Sequence, residues 1–101
     1  MEIKNEKEFN EIINSEYALV DFFATWCGPC KMMGPVLESV SSNRDNIKII
    51  KVDVDKFESL ARTYGVMSIP TLILFKKGQI VDKKIGFLAE PLLNEWIDNN
   101  R

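Results

Sequence analysis

The spacing of apolar residues along the chain predicts strands and helices in alternation. Residues 17–23 (YALVDFF) form a nearly continuous apolar run, which is typical of a strand covered on both faces. Residues 47–54 (IKIIKVDV) form the next predicted strand. Residues 71–75 and 80–85 flank Lys77-Gly78, and this arrangement predicts a hairpin of two antiparallel strands.

Helices are predicted between and after these strands. Asn5 is placed to cap the first helix, with Glu8 three residues later as its capping-box partner. The second helix is predicted from about residue 29 to 41, the third over 56–64, and the last over 91–99, with Pro91 as its first residue.

Residues 2–4 could add a short edge strand, which makes the order β-α-β-α-β-α-β-β-α. This order predicts an α/β fold in which a central mixed sheet has helices on both faces. The first strands, which are joined through helices, should be parallel, and the final hairpin must be antiparallel. A length of 101 residues is typical of one domain, so we expect residues 1–101 to form a single domain.

Composition and charge exclude several function classes. The chain has 13 basic and 15 acidic residues, a net charge of −2, so it lacks the basic character that nucleic acids or anionic membranes attract. The longest apolar runs are four residues, whereas a membrane span needs about 20. The first eleven residues contain no apolar segment of the secretory type, which predicts a cytoplasmic protein. The sequence has no histidine, so histidine-ligated metal sites and Cys-His or Ser-His-Asp catalysis are excluded.

The only two cysteines, Cys27 and Cys30, form a C-x-x-C motif. Two thiolates are too few for a structural zinc site, and we predict no metal and no other cofactor. The motif lies where a central strand ends and a helix begins, and the helix N-terminus favours thiolate over thiol at Cys27. We therefore predict a redox pair in which Cys27 is exposed and attacks, and Cys30 resolves the mixed disulfide. The alternative is two buried cysteines that are close by coincidence.

Asp21 lies inside the first long apolar strand, where an unpaired carboxylate is unfavourable. If its face of the strand covers the second helix, Asp21 lies beneath the cysteines and can exchange a proton with Cys30. The alternative, equally weighted, is a solvated Asp at a strand edge. Lys51 is the natural counter-charge, although an ordinary surface lysine is the simpler interpretation.

Apolar residues near the cysteines suggest a flat surface that suits extended protein substrates. Gly28 lets a partner backbone approach, and Pro29 fits the first helical turn. Trp26 is either a core aromatic or an exposed platform beside the cysteines. Pro70 precedes a strand, and its position alone does not predict a cis Ile69-Pro70 bond.

Several motifs together resemble the thioredoxin family: WCGPCK, the preceding VDFFAT, the following GPVLE, KVDVD, YGVMSIPT, LILFKKGQ and the late Gly86. The resemblance extends in register over essentially the whole chain. It implies a five-stranded mixed sheet flanked by four helices in three layers. Two positions depart from the family pattern: Phe23 replaces a common Trp, and Gly34 replaces a common Ala.

The resemblance also implies roles for individual residues. It implies that Cys27 attacks, Cys30 resolves, Asp21 transfers a proton with Lys51 as its neighbour, and Pro70 is a cis-proline facing the disulfide. The backbone of Ile69, within the Ile69-Pro70-Thr71 segment, would pair with substrate. Trp26, Gly65 and Gly86 would shape the docking surface, beside the Gly28 and Pro29 already considered.

The function expected from motif and resemblance is reduction of disulfides in other proteins. The implied partners are disulfide-containing proteins and a thioredoxin reductase, an NADPH-dependent flavoprotein, and we expect a monomer. The chain has no G-x-G-x-x-G fingerprint of its own. Two alternatives remain: an oxidase or isomerase, which usually carries a His between the cysteines, and a binding module whose cysteines are incidental.

Overall fold

The computed structural model describes residues 1–101 and contains four strands and four helices. In chain order they are α1 Glu6–Ile13, β1 Ala18–Phe23, α2 Gly28–Asn43, β2 Lys48–Asp53, α3 Glu58–Thr63, β3 Thr71–Lys76, β4 Gln79–Ile85 and α4 Glu90–Asn99. The predicted helices and long strands are all present, with ends that differ by a few residues. None of the helices combines the length and apolar character that crossing a membrane requires.

The four strands form one mixed sheet in the order β2-β1-β3-β4. β1 is parallel to β2, as predicted for strands joined through a helix, and Asp21 is the register partner of Lys51. β1 is antiparallel to β3, and β3 is antiparallel to β4. Every residue of β1 is buried, because this strand is central in the sheet and has helices on both of its faces.

Two apolar cores lie on opposite faces of the sheet. One core joins α1 and α3 to the sheet, and its largest members are Phe9, Phe22, Ile50, Ile73 and Phe75. The other joins α2 and α4 to the sheet, and includes Leu19, Met33, Leu72, Leu74, Leu93 and Ile97. The predicted three-layer α/β/α arrangement with a mixed sheet and four helices is therefore confirmed.

The expected fifth strand is wrong. Residues 2–4 form only an isolated bridge, Glu2 to Lys51, beside the edge of β2. Two backbone hydrogen bonds hold it, from Lys51 N–H to the Met1 carbonyl (2.8 Å) and from Ile3 N–H to the Lys51 carbonyl (3.0 Å). The segment stops there because Asn5 already caps α1 and accepts a hydrogen bond from Glu8 N–H at 2.8 Å.

β3 follows a helix but runs antiparallel to β1. The reason is the length of α3, whose six residues span only about 9 Å, against about 20 Å for a six-residue strand. The chain therefore leaves β2 and enters β3 at the same end of the sheet. Thr71, the first residue of β3, is the register partner of Phe22, next to the last residue of β1.

The predicted hairpin at Lys77-Gly78 is confirmed. Lys77 and Gly78 both have positive φ, 50° and 84°, as in the tight turns that match the twist of antiparallel strands. The turn also docks on the C-terminus of α1. Lys77 N–H donates to the Ser15 carbonyl (2.9 Å), and Gly78 N–H donates to the Ile13 carbonyl (2.8 Å).

We expect Gly78→Ala to destabilise the protein by about 1–3 kcal/mol, because alanine is strained at this φ. Its Cβ would also lie 2.5 Å from Asn14 Oδ1. The matched control is Gly34→Ala in α2, where no heavy atom lies within 4 Å of the added Cβ. This change should stabilise the protein by up to about 1 kcal/mol through helix propensity. The urea concentrations at half-unfolding, compared between variants that have the same m-value, measure both changes in stability. Equal effects of the two substitutions would contradict this account.

Candidate active site

The cysteine pair lies at the junction of β1 and α2. Cys27 is the N-cap residue of α2, and its sulfur accepts a hydrogen bond from Cys30 N–H at 3.2 Å. Cys27 and Cys30 are joined as a disulfide, with Cα atoms 5.2 Å apart. Both the spacing and the cap place the two sulfurs at the positive end of the helix dipole. The interpretation that the two cysteines are close by coincidence does not fit this arrangement.

Both cysteines are buried in this disulfide form, so the expectation that Cys27 is exposed is wrong. Cys27 retains 5% of its accessible surface and Cys30 retains 2%. The pair packs with Phe23 and Ala24, and Ile69 lies against the same cluster. These apolar neighbours cover both residues, and Cys27 keeps only slightly more surface than Cys30.

A second segment, distant in sequence, faces the disulfide. The carbonyl oxygen of Ile69 lies 3.8 Å from Cys27 Sγ, and the Ile69-Pro70 peptide bond is cis. Gly86 N–H donates to the Pro70 carbonyl at 2.8 Å, which joins the segment to the end of β4. Thr71 is fully buried, and its hydroxyl donates to the Ser68 carbonyl, so its side chain shapes this segment from inside.

Trp26 is an exposed platform and not a core aromatic. Its side chain is 69% exposed, and its indole N–H donates to Asp55 Oδ2 at 2.9 Å. Gly28 and Pro29, which lie between the cysteines, are also exposed. An apolar and accessible surface therefore surrounds the covered disulfide on the helix side.

Asp21 lies on the face of β1 that packs against α2. Leu19, two residues earlier on the same face, packs with the residues of α2 and α4. Asp21 is completely buried, and neither of its carboxylate oxygens has a hydrogen-bond partner. Burial raises the pKa of Asp21 to about 7, against a partial lowering by the charge of Lys51. A solvated Asp at a strand edge is excluded.

Lys51 is the neighbour of Asp21 in the sheet, at the register position directly beside it on β2. Its side chain is half-buried, with the ammonium nitrogen 4.4 Å from the centre of the Phe23 ring. Lys51 is thus held over an aromatic face near the cysteine cluster and acts on Asp21 through space. It is neither a free surface lysine nor a hydrogen-bonded partner of Asp21.

Two residues near the site were not predicted. Asp55 orients Trp26, and the only signal for it is its position at the end of the KVDVD motif. Met67 is 95% exposed in the segment that leads to Ile69, and no pattern distinguishes it from a loop residue. No group of three or more His, Cys, Asp or Glu side chains is placed to hold a metal ion.

Comparison with known proteins identifies the family. The protein-family model described as thioredoxin matches residues 1–99. The chain belongs to the thioredoxin family. A thioredoxin from Staphylococcus epidermidis is 50% identical over 96 residues, covering 94% of this chain and 92% of that protein. One from Staphylococcus aureus is 49% identical over the same coverage.

Solved structures of thioredoxins have the same fold. Thioredoxin from Plasmodium falciparum superposes with a TM-score of 0.91 at 35% identity, covering 99% of this chain and 98% of that chain. A mutant thioredoxin from Halobacterium salinarum also gives 0.91, at 34% identity, over 99% and 88% of the two chains. Thioredoxins are protein-disulfide reductases, and the disulfide at the start of α2 is the redox-active pair of this one.

Asp21→Asn should stabilise the protein increasingly as the pH rises. The native carboxyl has its pKa raised from 3.8 to about 7, so the native state binds the proton more tightly than the unfolded chain does. Stability from this group is therefore lost as the pH rises from about 4 to 7, and the penalty is constant above that range. Near pH 8 the penalty for burying the ionised Asp21 carboxylate is roughly 4 kcal/mol. The Asn substitution removes this penalty, but its own buried amide lacks a hydrogen-bond partner, and that cost reduces the net gain in stability.

The measurement is the free energy of urea unfolding of both proteins at pH 5, 7 and 8.5. Asp45→Asn is the matched control, because Asp45 is exposed. The difference between Asp21→Asn and the parent chain should widen with pH and should exceed that of the exposed control at pH 8.5. A pH-independent difference for Asp21→Asn would show that the carboxyl is not titrating as a buried group.

Proposed function

We propose that reduced Cys27 is the attacking thiol in the reduction of protein disulfides and that Cys30 is the resolving thiol. The Cys27 thiolate attacks one sulfur of the substrate disulfide, forms a mixed disulfide and releases the other substrate sulfur as a thiolate. Cys30, once deprotonated, attacks Cys27 Sγ and releases the second substrate thiolate. Two electrons pass to the substrate, and the protein is left with the Cys27–Cys30 disulfide.

The observation that carries this assignment is the position of Cys27 at the N-cap of α2. A thiolate there accepts the Cys30 N–H and faces the positive end of the helix, and both interactions favour the charged nucleophile. Cys27 also faces the Ile69 carbonyl, where an extended substrate would lie. Cys30 lies in the first turn of α2 and has less accessible surface.

Asp21 is the proposed proton acceptor for Cys30. Its pKa of about 7 lets it change protonation state near neutral pH, which suits a general base. It has no hydrogen-bond partner to compete for the proton and lies beneath α2. Lys51, as the nearest opposite charge in the sheet, stabilises the ionised form of Asp21 after transfer.

The substrate surface consists of residues around the disulfide. We propose that the backbone of Ile69 pairs with an extended substrate segment and that Trp26 provides an apolar platform. The absent side chain of Gly28 allows close approach, and Pro29 and Pro70 border the disulfide. Gly86 supports Pro70 through its backbone, and Thr71 does so from the interior.

We further propose that residues 1–101 act as one thioredoxin domain that works as a monomer with a thioredoxin reductase as its electron donor. The edge strand β4 carries Lys83 and Lys84, and such charges oppose pairing between copies. A cytoplasmic location suits this role, because the cysteine pair must be reduced to act and the cytoplasm maintains reduced thiols. The net charge of −2 offers no attraction to nucleic acid or anionic membrane.

The decisive test is a coupled assay with NADPH, a thioredoxin reductase and insulin as the protein disulfide. NADPH oxidation should depend on this chain and should disappear in a variant with both cysteines changed to Ser. A binding module with incidental cysteines would keep its partner when both are replaced and would give no turnover. Absence of turnover with reductases from several bacteria would reject the reductase function.

The assignment of the two thiols predicts different products for the single variants. Cys30→Ser should accumulate mixed disulfides with the substrate, because no thiol remains to resolve them. Cys27→Ser, the matched control, should accumulate none. Intact-mass analysis under non-reducing conditions distinguishes the two. Limited alkylation of the reduced parent chain should modify Cys27 first, and mixed disulfides on Cys30 in the Cys27→Ser variant would reverse the roles.

Asp21→Asn should slow turnover in the coupled assay by at least about tenfold at pH 7, because a positioned general base contributes about 10²- to 10⁴-fold. Formation of the mixed disulfide should change less, because the helix terminus that favours the Cys27 thiolate is intact. Stopped-flow measurement separates the two steps. An unchanged rate of resolution would remove Asp21 from the mechanism.

A further inference from the structure

The segment 65–70, called the recognition arm below, begins at the C-terminus of α3 and ends at the disulfide. Its inner residues are anchored in the protein. Val66 packs against the core shared with α1 and α3, and its N–H donates to the Ala61 carbonyl at 2.9 Å. Ile69 packs against the cysteine cluster. Met67, between these two anchors, is 95% exposed and is the most exposed large apolar side chain of the molecule.

Strand β4 holds both ends of the recognition arm. At the start of the arm, the Lys83 ammonium lies 3.3 Å from the Tyr64 carbonyl and 3.5 Å from the Gly65 carbonyl. These are carbonyls at the end of α3, where a cation is favourable. At the other end, Gly86 N–H binds the Pro70 carbonyl at 2.8 Å. The exposed side chain of Met67 is therefore presented from a segment that is fixed on both sides.

We propose that Met67 is a specificity-determining residue that packs against an apolar side chain of the substrate close to the attacked cysteine. The proposal rests on the substrate surface proposed above and deepens it. Met67 lies two residues before Ile69. When a substrate chain runs along the arm with its attacked cysteine beside Ile69, the substrate residue two positions from that cysteine, its second neighbour, lies beside Met67. A flexible thioether adapts to apolar side chains of different shapes.

Lys83 is the corresponding positioning residue. Its contacts are with the Tyr64 and Gly65 carbonyls at the start of the arm, and it acts by holding that start in place. Because an anchored arm loses little freedom when a substrate binds, the contact with Met67 contributes more to affinity than it would on a mobile loop. Lys84, the next residue on β4, points to the other face and makes no bond to the arm, which makes it a matched control.

The test uses two synthetic peptides, each with one intramolecular disulfide and either Leu or Glu two residues from each cysteine. The parent chain should have a KM for the Leu peptide about three- to tenfold below that for the Glu peptide, as expected for partial burial of Met67. Met67→Leu should keep this ratio and Met67→Gln should reduce it to near one. Ile80→Gln, a control at an exposed apolar residue beside the distant hairpin, should leave the ratio unchanged.

Glutathione disulfide has one residue on each side of its cysteine and therefore lacks the second-neighbour residue that would contact Met67. Its rate of reduction reports on the cysteine pair and should be equal in all these variants. Equal KM values for the two peptides in the parent chain, or an unchanged ratio in Met67→Gln, would overturn the proposal and leave the reductase function intact. A parent chain that reduced neither the peptides nor insulin would contradict the proposed function itself.

Lys83 is tested with the same peptides and with amide exchange. Lys83→Met should raise the KM for the Leu peptide about two- to fivefold, which is the fold-change that corresponds to the interaction energy of a cation with a helix C-terminus. The rate with glutathione disulfide should not change. The substitution should also speed exchange of the Val66 amide. Lys83→Arg should restore both, and Lys84→Met should alter neither. Unchanged exchange in Lys83→Met, or an equal effect of Lys84→Met, would overturn the positioning role.

Discussion

The complete burial of β1 is the constraint on which the rest of this structure depends. All six of its residues are enclosed, so both faces of the sheet must be covered, by α1 and α3 on one side and by α2 and α4 on the other. This covering fixes α2 across the carboxyl end of β1. Cys27 is the cap of that helix, and the position of the redox pair therefore follows from the packing of the core.

Burial of β1 also sets the chemistry of Asp21. A carboxyl on an exposed strand would be ionised at neutral pH, whereas here the surrounding apolar residues remove water from both oxygens and raise the pKa to about 7. The protein retains a group that lowers its stability at neutral pH. Buried carboxyls with a raised pKa and no hydrogen-bond partner are concentrated at functional sites, and the proton transfer proposed above gives Asp21 such a use.

Much of this architecture could be predicted because local signals agree with it. The C-x-x-C motif, the Asn5 cap and the Lys77-Gly78 turn each depend on a few neighbouring residues, and each has the expected structure. Asp21 could not be assigned in the same way. Its burial depends on α2 and on the neighbouring strands, and apolar periodicity does not show whether a strand lies at the centre or at the edge of a sheet.

The failed predictions involve competition between elements. The segment 2–4 has the composition of a strand, but the α1 cap at Asn5 limits its pairing to one bridge. Cys27 was expected to be exposed because it begins a helix, yet Ile69 covers it from a segment 42 residues away. The exposure of Met67 likewise results from the anchoring of the residues on each side, which no local pattern reveals.

The short α3 explains why these distant segments meet. A helix long enough to cross the sheet would start β3 at the opposite end, far from the cysteines. Because α3 has six residues, β3 begins beside the last residues of β1, and β4 then returns to the same end. The cysteine pair, Ile69 with Pro70, and Gly86 therefore all lie at the same end of the sheet. The antiparallel β3 is therefore a requirement of this arrangement, because a parallel β3 would begin at the other end of the sheet and leave the disulfide without the Ile69-Pro70 segment that faces it.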